Sequence, residues 1–263
     1  MTEAGIAAAL EAAAIAATAA GAIARQHFRT DLAVESKQAD RFDPVTQADR
    51  AIESLLRARL RTILPDAGIL GEEFGADGPD TDYWVVDPID GTRSFISGML
   101  GWGILIGLVV GGRPVAGLMH QPYTGETFMA DAMHGARLRH RGGERLLRAS
   151  IRTRLADAIL YSTHPDLLEA AGLRENYATL ARQCRLQRFG GDCYAYAMLA
   201  CGQIDLVIEG GLAAYDIVPL VPIIEAAGGV VTTLQGATPL SGGTIVAAAN
   251  ATLHAAALAV LAG

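Results

Sequence analysis

Lysine is almost absent from this chain: Lys37 is the only one among 21 basic residues, and no Lys/Arg-rich run occurs. With a formal net charge of -7, nothing in the sequence is suited to neutralising a nucleic-acid backbone, which argues against nucleic acid as a partner. The lysine deficit accompanies an excess of alanine and most simply reflects codon composition. Cysteine is scarce too. Cys184, Cys193 and Cys201 are odd in number and lack C-x-x-C spacing, so they indicate neither a disulfide framework nor a zinc site. They fit buried free thiols in a reducing cytoplasm. A long uninterrupted apolar run is missing as well. The longest near the N-terminus starts after Glu11 and ends at Arg25, short of a bilayer span, and no basic segment precedes it. The expectation is therefore no signal peptide, no membrane anchor and a cytoplasmic location. Internal repeats and low-complexity linkers are likewise absent.

What is present is a chain of 263 residues, 51% hydrophobic and 19% charged, with 30 glycines. That composition excludes disordered and fibrous classes, and the length buries a sizeable core as one large domain or two closely packed ones. Helical spacing of Ile6, Leu10, Ala14, Ala17, Gly21, Ala24 and Phe28 predicts a packing helix over 3–28. From Phe28 to Asp43 the periodicity fails and an extended loop is expected. Thr46 and Asp49 look like the cap and first turn of a helix running through Ile52, Leu55, Leu56 and Leu60 to Pro65. Apolar runs at 103–110, 114–120, 125–131 and about 136–139 predict an antiparallel meander, with His120 and Tyr123 on its turns. After an arginine-rich stretch, helices and strands alternate. Helices are expected near 175–183, 192–201, 215–227 and from Ala251, and strands at 159–161, 186–188, 204–208, 230–233 and 244–248. A break near residue 150 divides an α+β half (1–150) from an α/β half (151–263).

The chemistry concentrates in Trp84-Val85-Val86-Asp87-Pro88-Ile89-Asp90-Gly91-Thr92-Arg93-Ser94-Phe95. Trp84 to Val86 reads as a buried strand that Pro88 stops, and Gly91-Thr92 as the turn into a helix. Asp87 and Asp90, with the Ile89 carbonyl, are hard oxygen donors of the kind Mg2+ takes. The amides of Gly91 and Thr92 at a helix start suit a phosphate. The same residues also make an ordinary acidic turn. Two further carboxylate sites weigh against that reading: Gly71-Glu72-Glu73 after an apolar run, and Tyr215-Asp216 before another.

In that order the motifs G-E-E, D-P-I-D-G-T and Y-D make the chain resemble the inositol monophosphatase family of Mg2+-dependent phosphatases, over nearly its whole length. The resemblance implies a layered αβαβα sandwich with the site in a cleft between the halves. It implies that Glu72, Asp87 and the Ile89 carbonyl hold one Mg2+ and that Asp87, Asp90 and Asp216 hold a second, with two to three ions in all. Asp49, otherwise a capping residue, falls on the family's T-x-x-D aspartate, which pairs with Thr92 to position and deprotonate the attacking water. Gly91 and Thr92 bind phosphate. A basic residue near Lys37 approaches the site in the family, although a solvated lysine is the alternative. Glu73 is not counted as a ligand. A homodimer is expected from the family and from apolar surface on the 103–131 meander.

Arg93-Ser94-Phe95, Trp102-Gly103-Ile104-Leu105-Ile106, His120-Gln121-Pro122-Tyr123 and Gly191-Asp192-Cys193-Tyr194-Ala195-Tyr196 look most like the histidinol-phosphate phosphatase branch. That implies hydrolysis of histidinol phosphate in histidine biosynthesis. Arg93, Asp192 and Glu209 are the candidate substrate contacts, because Asp192 and Glu209 offer anions to a substrate carrying an ammonium and an imidazole. Asp192 has an equally good reading as a helix N-cap. The other readings are an inositol-1-phosphate or broad polyol phosphatase on the same site, and, more remotely, a non-catalytic metal or phosphate binder. The presence of both Asp49 and Thr92 disfavours the binder.

Overall fold

The computed structural model describes residues 1–30, 34–36 and 44–263, with only the backbone of 34–36 and 44–46. Lys37 and the Thr46 hydroxyl lie outside the described residues. The first helix, α1 (Glu3–His27), buries an alanine-rich stripe from Ile6 to Ala24, as its spacing predicts. Within the stretch expected to be a loop, β1 (Val34–Ser36) pairs antiparallel with β2 (Pro44–Thr46). Next comes α2 (Gln47–Ile63), then β3 (Gly68–Gly71) and β4 (Gly75–Asp77). The central strand β5 spans Asp82–Asp90 and leads into the one-turn helix α3 (Thr92–Ile96). The meander is β6 (Gly103–Val110), β7 (Arg113–Gln121), β8 (Glu126–Asp131), β9 (Gly135–His140) and β10 (Gly143–Leu146). The last of these lies in the arginine-rich stretch and was not foreseen. His120 sits inside β7 instead of on a turn, buried, with Nδ1 2.9 Å from the Thr127 hydroxyl.

The remainder is β11 (Ile159–Ser162), α4 (Pro165–Ala170), α5 (Arg174–Gln183), β12 (Leu186–Phe189), α6 (Asp192–Ala200), β13 (Leu206–Leu212), α7 (Ala214–Ile217), α8 (Val221–Ala226), β14 (Val230–Thr233), β15 (Gly243–Ala248) and α9 (Ala251–Leu261). Two sheets result. One has the order β10-β9-β8-β7-β6-β5-β3-β4 and the other β12-β11-β13-β15-β14.

Alternation along the strands builds five layers from two sheets. In β6, Ile104, Ile106 and Leu108 join the core under α1 and α2, whereas Leu105 points the other way, into a core shared with α6, α8, β13 and β15. In β13, Val207 faces that middle layer and Leu206 and Ile208 face an outer core with α5 and α9. The order is thus helices, sheet, helices, sheet, helices, the expected αβαβα sandwich. Because both faces of β6, β7 and β8 are covered, these strands are almost wholly buried, and of the apolar surface on 103–131 that supports the expectation of a dimer, only Tyr123, on the turn between β7 and β8, is a large exposed side chain. Further large exposed apolar side chains occur at Met99, Leu100, Leu146, Leu186 and Phe189 among others.

Two expectations about breaks are corrected, both at proline. Pro88 does not end β5. Asp87 pairs with Leu105 and Asp90 with Gly103, so three steps along β5 match two along β6. This is a one-residue bulge, which accommodates a residue without an N–H. The helix expected over 215–227 is split into α7 and α8, because Pro219 has no N–H to continue the ladder. Helix α1, at 25 residues, is also long and apolar enough to cross a membrane by length and composition, unlike the shorter uncharged run from Glu11 to Arg25 within it. More than half of that apolar window is buried inside the molecule, as in the core helix of a folded domain.

Candidate metal and phosphate site

Strand register brings the acidic motifs together. Parallel pairing sets Gly71 beside Val86, and the Glu72 amide donates to the Val86 carbonyl at 3.3 Å, so Glu72 leaves β3 next to Asp87 on β5. In a regular strand, residues three apart such as Asp87 and Asp90 would face opposite ways. The extra residue of the bulge returns both to one side. Asp216 arrives from α7, whose continuation Pro219 packs against β6 and β7. A Cβ on Gly107 would come within 2.9 Å of Pro219 Cα, and one on Gly117 would collide with the Pro219 carbonyl. The two glycines therefore permit the close approach that seats Asp216.

Carboxylate oxygens of Asp87, Asp90 and Asp216 all lie within 4.8 Å of one another. Each accepts a hydrogen bond from a backbone amide: Asp87 from Ile89 N–H (3.0 Å), Asp90 from Cys193 N–H (2.7 Å) and Asp216 from Ala213 N–H (2.7 Å). Burial, then the charges of Glu72, Asp90 and Asp216, push the Asp87 carboxyl well above the usual range. Burial, then Asp216 and Asp192, do the same to Asp90. Converging hard oxygens that resist ionising together are the donor set a divalent cation fits, since its charge removes the repulsion.

The turn after β5 is fixed by Gly91, whose φ of 79° is left-handed. A Cβ there would also sit 2.8 Å from the Gly101 carbonyl and 3.0 Å from Asp192 Cβ. The Thr92 hydroxyl donates to the Ile89 carbonyl at 3.0 Å. Asp49 lies buried in the first turn of α2, which packs on β5.

Beside the carboxylates opens a cleft of about 220 Å³, lined among others by Asp90, Gly91, Thr92, Arg93, Asp192 and Glu209. The first turn of α6 is capped by Asp90 through Cys193 N–H. Asp192 itself has a left-handed φ of 44°, and its carboxylate accepts from the Ser94 hydroxyl at 2.7 Å. The capping reading of Asp192 is thereby displaced. Burial raises its carboxyl, opposed by the Ser94 hydrogen bond and the Arg93 charge. Glu209 is buried on β13, accepts from the Thr163 hydroxyl at 2.7 Å, and is pushed up to about 8 by burial, with Asp192 and Asp216 adding to the rise.

Ser94, Thr163 and Tyr196 border this pocket or its carboxylates without having been singled out from sequence. Ser94 and Tyr196 lie within the Arg93-Ser94-Phe95 and 191–196 motifs, but Thr163 follows β11 with no motif to mark it. The three cysteines are free, as expected, but only Cys193 is buried. Cys184 and Cys201 are half-buried.

The family model described as "Inositol monophosphatase family" matches residues 7–262. A chloroplastic bifunctional phosphatase, IMPL2, of Arabidopsis thaliana is 40% identical over 223 residues, 84% of this chain and 62% of that protein's length. The chain thus spans less than two thirds of that relative. A histidinol-phosphatase of Streptomyces coelicolor is 36% identical over 245 residues, 90% of this chain and 91% of the relative. Among solved structures, an inositol monophosphatase from Zymomonas mobilis superposes with a TM-score of 0.83 at 37% identity, covering 96% of this chain and 97% of that one.

Proposed function

Since the chain belongs to the inositol monophosphatase family and is a phosphoric monoester hydrolase, we propose that it hydrolyses histidinol phosphate to histidinol and phosphate, using Mg2+. The observation that carries the proposal is the pair Asp192 and Glu209 lining the cleft that adjoins the carboxylate cluster. A cationic substrate gains from two acids there, and an uncharged polyol gains less.

Glu72, Asp87, Asp90, Asp216 and the Ile89 carbonyl would hold two to three Mg2+ ions, which when bound neutralise the phosphoryl charge and acidify water. The chain's own groups do the rest. Thr92 directs its hydroxyl proton at Ile89, leaving its oxygen to accept a hydrogen bond from the attacking water and so orient it. Asp49 takes the proton as the water oxygen bonds to phosphorus and the ester P–O bond breaks. The departing alkoxide is protonated from solvent. Amides of Gly91 and Thr92 hold the phosphoryl oxygens, and Arg93 borders the substrate end. Glu209, protonated over much of the neutral range, gives up its proton when the substrate's ammonium approaches. We also propose a cytoplasmic homodimer, which light scattering tests: a monomeric mass at working concentration ends that idea.

Asp192→Asn tests the substrate assignment. Losing one charge-assisted hydrogen bond costs roughly 1.5 to 3 kcal/mol, so kcat/KM for histidinol phosphate should fall roughly 10 to 150-fold. That for inositol 1-phosphate should change little. Equal losses on both would make this an inositol or broad polyol phosphatase on the same site.

A further inference from the structure

The loop that carries Glu72 is held from behind by a buried ion pair. Glu53, on α2 one turn after Asp49, is fully buried. Its carboxylate accepts from the Glu73 amide at 2.6 Å, from the Phe74 amide at 3.2 Å and from Arg57 Nε at 2.8 Å. Arg57 in turn donates to the Gly75 carbonyl and lies 5.8 Å from the Phe74 ring centre. The hairpin from β3 to β4 is therefore clamped at Glu73, Phe74 and Gly75, the three residues directly after Glu72. Gly71, the residue before it, leaves the space the Glu53 carboxylate fills, since a Cβ there would overlap it.

A buried ion pair is a weak source of stability, because desolvation offsets most of the attraction. This one does something more specific. The Glu73 amide belongs to the peptide joining Glu72 to Glu73, so its bond to Glu53 fixes how that peptide is turned and hence where the Glu72 side chain leaves the loop. We propose that Glu53, with Arg57, is a positioning residue that presents Glu72 to the carboxylate cluster and thereby sets the affinity of the site for its divalent cation. The inference rests on the metal-dependent reading above.

Glu53→Gln is nearly isosteric but replaces one of the two accepting oxygens with an NH2, which leaves either the Glu73 amide, or the Phe74 amide and Arg57 Nε, without its acceptor. Partners behind metal ligands typically contribute about 10 to 100-fold in metal affinity. The calorimetric Kd for Mg2+, measured on metal-free protein without substrate, should rise about tenfold or more. The Mg2+ concentration for half-maximal turnover should rise with it, while KM for the phosphate ester at saturating Mg2+ stays put. A purely structural role would lower the metal-free Tm and leave the Mg2+ Kd at the wild-type value, and that result overturns the proposal. If Glu53→Gln does not fold, Arg57→Lys decides. It keeps the charge but loses the fork to Glu53 and Gly75, and its Kd should move the same way by less. An unmoved Kd in Arg57→Lys refutes the clamp. Wild-type protein that neither binds Mg2+ nor needs it for turnover would instead overturn the metal reading itself, and this inference with it.

Discussion

Glu209 holds its proton to about pH 8, whereas an ordinary glutamate in the unfolded chain releases it near 4.5. Between those values the folded protein binds a proton that the unfolded chain has lost, so stability declines as pH rises through the window. In metal-free protein, Glu209→Gln should flatten part of that decline in Tm between about pH 5 and about pH 8, and parallel wild-type and variant curves would contradict the shift. Asp90→Asn should reduce turnover by at least about 100-fold while the metal-free Tm holds or rises. The variant keeps an acceptor for Cys193 N–H and removes one charge from the cluster. Near wild-type phosphate release with Mg2+ would remove Asp90 from the site. At this scale the acids were legible because Asp and Glu at element ends stand out. Their partners were not: Ser94 and Thr163 are small polar residues whose significance exists only once folding sets Asp192 and Glu209 beside them. Glu53 and Arg57 left a signal that went unread, since the helical period puts both on the buried face with Ile52 and Leu56.

Elements were placed well wherever a strand is buried on both faces, as in β6 and β15, because continuous apolar runs bounded by glycine mark them. Proline misled the reading twice for one reason. It removes a single donor, which a sheet absorbs with a bulge at Pro88 and a helix answers with a break at Pro219. Both irregularities serve the site, one by turning Asp87 and Asp90 to the same side, the other by seating α7. Gly107 and Gly117, mid-strand, are the residues on which the second depends. Gly117→Ala should force Pro219 off the sheet and cost about 1 to 3 kcal/mol of stability, as overpacking does. Turnover should fall with it, because Asp216 shifts. A variant with wild-type Tm and turnover would show that α7 is held by other contacts.

Across the whole molecule, the two larger sheets and their three helical layers bring carboxylates from β5 and α7 to one point, with Glu72 after β3 beside Asp87, and sequence order alone does not show that carboxylate oxygens of Asp216 and Asp87 lie within 4.8 Å. The family motifs supplied that proximity by resemblance. A cation that binds only the folded cluster should stabilise the whole domain, by about 2.7 kcal/mol at a hundredfold excess over Kd, so Mg2+ should raise Tm and a chelator reverse it. A Tm indifferent to Mg2+ would count against the site. The central claim is met most directly by one comparison on purified wild-type protein: kcat/KM for histidinol phosphate and for inositol 1-phosphate at the same Mg2+ concentration, each repeated with chelator. The account predicts Mg2+-dependent phosphate release that favours histidinol phosphate. Preference for the inositol ester would contradict the substrate assignment, and release unaffected by chelator would contradict the metal mechanism.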